Sequence, residues 1–246
     1  MAKIHGKDTK IYLDEFDITA DSNNVEWNMN MEVAEVTGMS ASSKAYIAGL
    51  VDTDITIGSF FENGAGGNED IITDYWTGGE TGILTVCPDG VSDGDVAYTC
   101  DTTYCTSVGV PASLNAAVAM NHTWKASAGI ERMLVLYEGT VTATTNGESI
   151  DFGGAGVVGS GAAVVHLTSV TGSGTIDVKL QESSDEGVGD AWADESGATA
   201  TQLTAIGSER FTWAGACEQY VRCVITVATF TAANIVVLAK TGGTYA

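Results

Sequence analysis

Three histidines, five cysteines and two acidic loops are the residues of this 246-residue chain whose types could do chemistry. His5, His122 and His166 lie far apart, and no GxSxG elbow, HExxH helix or P-loop string accompanies them, so the sequence offers no starting point for acid–base or nucleophilic catalysis. Cys100/Cys105 and Cys217/Cys223 are spaced to close short loops, leaving Cys87 odd. Neither pair is CxxC and no histidine stands beside them, so a zinc spacing is not met; free buried thiols are the favoured state and loop-closing disulfides the alternative. Gly154, Gly156 and Gly159 spell GxGxxG, but a dinucleotide site needs a helix after the glycines. The next residues, SGAAVVHLTSV, are β-branched, so the stretch reads as a glycine-rich linker. The loop 183–197 carries Asp185, Glu186, Asp190, Asp194 and Glu195, and 89–95 carries Asp89, Asp93 and Asp95. Such oxygens could hold Ca²⁺, yet the spacing is not that of an EF-hand, and solvated acidic loops are the simpler reading. The sequence thus assigns no catalytic residue, metal ligand or cofactor.

Charge narrows the classes further. Acidic residues number 32 against 10 basic ones, for a net charge of −22. With so few cations no basic face can neutralise a phosphate backbone, so ordinary nucleic-acid binding is disfavoured. The acidity suits either solubility at high salt, as in a halophile, or a surface that must repel a polyanion. The start, MAKIHGKDTK, has no apolar signal-peptide core, and no apolar run is long enough to span a membrane. Synthesis in a host cytoplasm is expected.

The elements that would position these residues are mostly strands. Thirty glycines, two prolines and abundant Thr and Val predict many short strands joined by tight turns. From Val25 to Val33 every odd residue is apolar and every even one polar, so Glu26, Asn28, Asn30 and Glu32 share one wet face. Strands are also predicted over 10–19 and 52–58, and further along over 83–87, 96–100, 117–127, 132–145, 162–170, 175–182, 209–214, 219–230 and 233–239. Residues 68–76 predict a helix, capped by Asn68, with Ile71, Ile72, Tyr75 and Trp76 in one apolar stripe and Gly78–Gly79 ending it. The turn-rich 145–160 suggests a boundary, giving domains 1–148 and 149–246. Between the strands ending near Val36 and resuming near Asp52 lies a long stretch that hairpins do not need.

Ordered motifs carry a resemblance to a known family. They are His5-Gly6-Lys7, Asp14-x2-Asp17-Ile18-Thr19, Glu35-Val36-Thr37-Gly38, Ala45-Tyr46-Ile47-x-Gly49-Leu50-x-Asp52 and Ile57-Gly58-Ser59-Phe60-Phe61. In this order they resemble the tail tube (major tail) proteins of long-tailed, siphovirus-like phages and tailed archaeal viruses; Glu35 stands where aspartate is usual. Gly174–Asp185, Ala191-Trp192-x-Asp194, Glu209-Arg210-Phe211 and Tyr220-Val221-Arg222 resemble the extra C-terminal β domain of the longer members.

The resemblance implies a mainly β fold, a tail-tube β-sandwich or barrel with one short flanking helix plus a C-terminal β-sandwich domain on the tube exterior. It implies a structural virion protein of the viral tail, not an enzyme, whose hexameric rings stack into a hollow tube that conducts viral DNA to the host cell. Partners would be further copies of the chain and the tape measure, tail terminator and distal tail proteins, with DNA passing unbound and no membrane or cofactor involved. Ring stacking would fall to the 36–54 loop, with Thr37, Gly38, Tyr46, Ile47, Gly49 and Leu50 as its contacts and the two glycines as its turning points. Glu26, Asn28, Asn30 and Glu32 would line the lumen. The alternative is a surface-displayed β-sandwich adhesion module that binds glycans or Ca²⁺.

Overall fold

The computed structural model describes residues 5–127, 129–153 and 159–242. The GxGxxG glycines Gly154 and Gly156 lie outside them. The strands are β1 (Lys10–Leu13), β2 (Phe16–Asp17), β3 (Ser22–Glu35), β4 (Tyr46–Phe60), β5 (Thr81–Cys87), β6 (Val96–Gly109), β7 (Ala119–Ala126) and β8 (Glu131–Val141). After them come β9 (Thr145–Asn146), β10 (Ile150–Asp151), β11 (Gly159–Thr171), β12 (Thr175–Ser183), β13 (Ala193–Thr199), β14 (Gly207–Trp213), β15 (Tyr220–Ala228) and β16 (Ala232–Gly242). One α-helix, α1 (Asn68–Gly78), stands among them. The fold is mainly β with a single α-helix among the described residues, as expected.

The chain divides into two compact units: 1–19 with 83–99 and 131–246, and 20–82 with 100–130. The expected division at 148 falls inside the first unit. The reason is strand pairing: β8, before residue 148, lies edge to edge with β16, after it, from Val141↔Ala233 to Leu134↔Ala239. Turn residues mark where a chain reverses, not where a domain ends.

In the first unit one sheet runs β14-β11-β16-β8-β6-β5-β1-β2 and a second runs β10-β15-β12-β13, with β9 beside β15. Strand β11 is buried on both faces, which is why it reads as a continuous apolar run. Ala163, Val165 and Leu167 enter a core with Ile176, Val178 and Leu180 of β12 and Ile225 of β15. Ala162 and Val164 face the other way, towards Tyr12, Met133 and Val135. His166 is fully buried on that second face and stacks on Tyr12 at 5.6 Å between ring centroids.

The segment expected as one strand over 10–19 is broken by a turn at Asp14, which adopts φ 48°. The DxxDIT residues build this turn. Asp14 Oδ1 accepts from the Ile83 N–H at 2.9 Å, Asp17 Oδ1 from the Thr19 N–H at 3.0 Å, and Thr19 Oγ1 from the Ile11 N–H at 2.9 Å. Side-chain oxygens thus satisfy backbone donors that a tight turn leaves without ladder partners.

In the second unit β4 pairs with β3 and β7, and β7 with β6. Helix α1 covers one face: Ile71, Ile72 and Tyr75 are buried, and Tyr75 meets Trp124 edge-on at 5.6 Å. Two expectations about α1 need correction. Its N-cap is Gly67, not Asn68, which turns inward and is buried. Trp76, at the margin of the apolar stripe, is exposed. The stop is as expected: Gly79 takes φ 64° and its N–H reaches the Tyr75 carbonyl at 3.2 Å.

Candidate assembly surface

The stretch between β3 and β4 is a long hairpin. Register runs unbroken from Val25↔Ile57 to Met31↔Val51, shifts, and resumes from Val33↔Ala48 to Glu35↔Tyr46. The loop is therefore only 36–45. Tyr46, Ile47, Gly49 and Leu50, expected in a loop, belong to β4 instead; low apolar periodicity across Ala45–Gly49 hid the strand. The loop is closed by the Val36 N–H on the Ala45 carbonyl at 2.8 Å and the Ala45 N–H on Thr37 Oγ1 at 3.1 Å. Lys44 braces it, Nζ to Glu35 Oε2 at 2.8 Å, and this contact, followed by Thr37, holds the Glu35 carboxyl below its ordinary range.

Neither Gly38 nor Gly49 has a positive φ; Gly38 opens the turn at the hairpin tip, its carbonyl accepting from the Ala41 N–H at 3.0 Å, whereas Gly49 lies within β4. Gly49 sits where the β3–β4 register shifts, and a Cβ there would come within 2.9 Å of the Glu32 carbonyl oxygen. Its smallness lets the bulge close.

Cross-strand partners share a face, so the register sorts the side chains. One face carries Val25, Trp27, Met29, Met31 and Val33 opposite Ile57, Ile55, Thr53, Val51 and Ala48. Its inner end is core: Ile55 and Ile57 are buried. Its outer end is bare, with Met31 56 % exposed and Tyr46 54 %, while Leu50 is 79 % exposed. The alternation continues past the part of the sheet that its own unit covers. Met29, Met31, Val33 and Val51 were not singled out by the sequence, because period two alone reads as a core face; the signal available was length, since β3 at 14 residues exceeds the usual strand of about 5–6.

The opposite face carries Glu26, Asn28 and Asn30 facing Thr56, Asp54 and Asp52, with Glu32 next in the alternation. All four residues expected at the lumen are exposed and share this face. The β4–β7 register adds Lys125 opposite Asp54 and Thr123 opposite Thr56. Lys125 Nζ reaches Asp52 at 2.6 Å and Asp54 at 2.9 Å. Among the described residues of these ladders, Glu26, Glu32, Asp52 and Asp54 thus stand against one ammonium, that of Lys125, so the face is net acidic.

The residues that could have done chemistry are held in structural roles. His5 Nδ1 accepts from the Lys7 N–H at 3.1 Å. His122 Nδ1 accepts from Trp124 Nε1–H at 2.6 Å, and burial pulls its pKa down to about 4. His166 is pulled down to about 4 by the same cause. All five cysteines are free thiols, and burial pushes Cys87 and Cys223 up to about 12, far from a reactive thiolate. Between β12 and β13 two carboxylates are occupied by backbone, while Asp194 and Glu195 belong to β13: Asp185 accepts from the Val188, Gly189 and Asp190 N–H groups at 3.1, 2.6 and 3.0 Å, and Asp190 from the Ser184 N–H at 2.9 Å. These bonds hold both carboxyls below their ordinary range. One grouping that sequence spacing did not reveal is Glu182, Glu195 and Cys217, whose ligand atoms lie within 4.8 Å of one another. No helix among the described residues is long and apolar enough to cross a membrane.

No family model matches the chain, and no curated protein does. Solved structures similar to it include the virion of a native gene transfer agent particle, at TM-score 0.44 and 17 % identity over 53 % of this chain and 98 % of that one. The anti-feeding prophage cap, which terminates a tube, gives 0.45 and 13 % over 55 % and 93 %. The SPP1 tail tube gives 0.43 and 14 % over 53 % and 78 %.

Proposed function

We propose that this chain is a structural subunit of a viral tail tube, assembling with copies of itself into hexameric rings that stack into a conduit for DNA. The observation that carries the reading is the β3–β4 hairpin, whose outer half exposes Met29, Met31, Val33, Tyr46 and Val51 on one face, with Leu50 exposed at the register shift and Ile47 on the other face. So large an apolar patch on a lone subunit invites association. The ordered motifs shared with tail tube proteins run through this same hairpin. A repeated, non-self-matching contact between copies propagates instead of closing, which is what a tube requires. The polar face supports the second half of the proposal. A wall presenting Glu26, Asn28, Asn30 and Glu32 repels phosphates and offers almost no cation for DNA to hold. In this reading Thr37 and Gly38 shape the hairpin tip, Tyr46, Ile47 and Leu50 make the ring-to-ring contact, and the tape measure, terminator and distal tail proteins meet the ends of the tube.

Electron microscopy of the purified chain tests it. Rings or tubes with six-fold symmetry and a central channel are expected, with the hairpin at the contact between rings. A chain that stays monomeric in sedimentation runs, even when incubated with fragments of a tail from the same virus, overturns it.

A further inference from the structure

We propose that Glu182, Glu195 and Cys217 form a binding site for a thiophilic divalent cation, Zn²⁺, that staples the end of the β12–β13–β15 sheet. The topology builds the site from three segments. Glu182 in β12 pairs with Ala193 of β13, and Glu195 lies two residues on from Ala193, so both carboxylates project from one face of the ladder. Cys217 arrives three residues ahead of Tyr220, which pairs with Ser183, the neighbour of Glu182. The three ligand atoms fall within 4.8 Å of one another.

The surroundings leave the site two ways to lose its charge. Glu195 is only 5 % exposed and Cys217 only 1 %. What faces the buried Glu195 carboxyl is a second carboxyl and a thiol, so the two carboxyls either share a proton or take a cation between them. The cations on the adjoining strands are engaged elsewhere: Lys179 with Asp194 at 2.7 Å, and Arg222 with Gln181 at 2.8 Å and over the Trp192 ring at 4.3 Å. Glu182 is already oriented, its Oε2 accepting from the Glu218 N–H at 2.7 Å, as ligating carboxylates are by outer-shell donors. Gly215 keeps the approach open, since a Cβ there would stand 2.7 Å from Glu195 Oε1.

The donor set chooses the metal. Ca²⁺ and Mg²⁺ want oxygen alone and a larger shell, whereas one thiolate with two carboxylates suits Zn²⁺, leaving a position for water. Because the three ligands come from separate segments of the chain, the metal would brace the fold, and its affinity would appear as thermal stability. The site is independent of the tube reading and stands or falls separately.

Cobalt titration of the chelator-treated full chain is the direct test. Co²⁺ should produce a thiolate-to-cobalt charge-transfer band at one equivalent, displaced by Zn²⁺, and Zn²⁺ should raise the melting temperature. Cys217→Ser should abolish the band, and Glu195→Gln should weaken Zn²⁺ binding by at least about tenfold. Absence of the band in the wild-type chain overturns the proposal, whether or not the variants fold, and assigns the carboxyl pair a shared proton instead. Stabilisation by Ca²⁺ but not Zn²⁺, or Zn²⁺ binding that survives both substitutions, overturns it equally.

Discussion

Lys125 and Asp52 lie 2.6 Å apart across the polar face of the β4–β7 ladder, and the same ammonium meets Asp54 at 2.9 Å. The pair of aspartates holds the Lys125 pKa above its ordinary value, so the ammonium stays charged and committed to them. Glu26 and Glu32, on the same face, belong to no ion pair among the described residues and set its residual charge. Replacing both by lysine should therefore convert a repelling wall into a binding one. Both side chains are exposed, so the folded subunit should tolerate the change. Assembled Glu26→Lys/Glu32→Lys tubes should retain double-stranded DNA at low salt and release it at ~1 M, while wild-type tubes retain none. If the lysine tubes stay free of DNA, this face does not line the channel.

The hairpin contact is tested without touching the core. Tyr46 and Leu50 are exposed, so Tyr46→Asp/Leu50→Asp should leave the melting temperature of the subunit unchanged within about 1–2 °C, as surface substitutions do. Tube growth, followed by light scattering and microscopy, should stop. Tubes of normal length from the double variant would remove the hairpin from the stacking contact.

Gly161 gives a stability prediction inside the first unit. A Cβ there lands on the Trp213 ring and 2.5 Å from the Lys240 carbonyl oxygen. Trp213 is buried and both neighbouring strands pair with β11, so nothing near can move cheaply. Gly161→Ala should cost on the order of 1–3 kcal/mol or more in urea unfolding, against a few tenths for the same change at Gly6, which has open space around it. Equal midpoints for the two variants would refute the packing argument.

How much of this was legible in the sequence depended on whether the signal was local. The β3 alternation, the β11 apolar run and the Gly79 helix stop are local, and each marked its element. Strand β13, ADESGAT, was missed because only Glu195 and Ala198 of it are buried, leaving no apolar alternation to read. The second half of β6, DTTYCTSVG, was missed because Thr and Ser carry strand propensity without hydrophobic contrast. The division into units was out of reach for a deeper reason: both units are assembled from separated segments, and periodicity says that a strand has a buried face, not which strand lies beside it. The same holds for the site residues. Glu26, Asn28, Asn30 and Glu32 could be assigned to one face from spacing, but Asp52, Asp54 and Lys125 join that face only through register, and Glu182, Glu195 and Cys217 meet only through topology.

The buried histidines set the acid limb of stability. His166 Nδ1 faces the Asp14 carbonyl at 2.7 Å, which can only accept, so Nδ1 carries the proton. Nε2 must then accept from the Thr85 hydroxyl at 2.8 Å, and Thr85 in turn accepts from Thr99 at 3.0 Å. Protonating Nε2 would reverse that chain in a site without water access, which is why burial takes the pKa down to about 4. The unfolded chain binds this proton near pH 6.5 and the folded one only near 4, so between those values the unfolded state holds more protons. Stability is therefore full above about pH 6.5 and falls as the pH drops towards 4, at up to about 1.4 kcal/mol per pH unit for this residue. His122, also near 4, adds a contribution of the same sign. Urea midpoints at pH 5 and pH 7 for wild type and His166→Gln separate this from every carboxylate, because those are common to both chains. The variant should be less stable at pH 7 and lose less on acidification, its deficit shrinking by about 2 kcal/mol at pH 5. A deficit independent of pH would mean that His166 accepts its proton without leaving the fold.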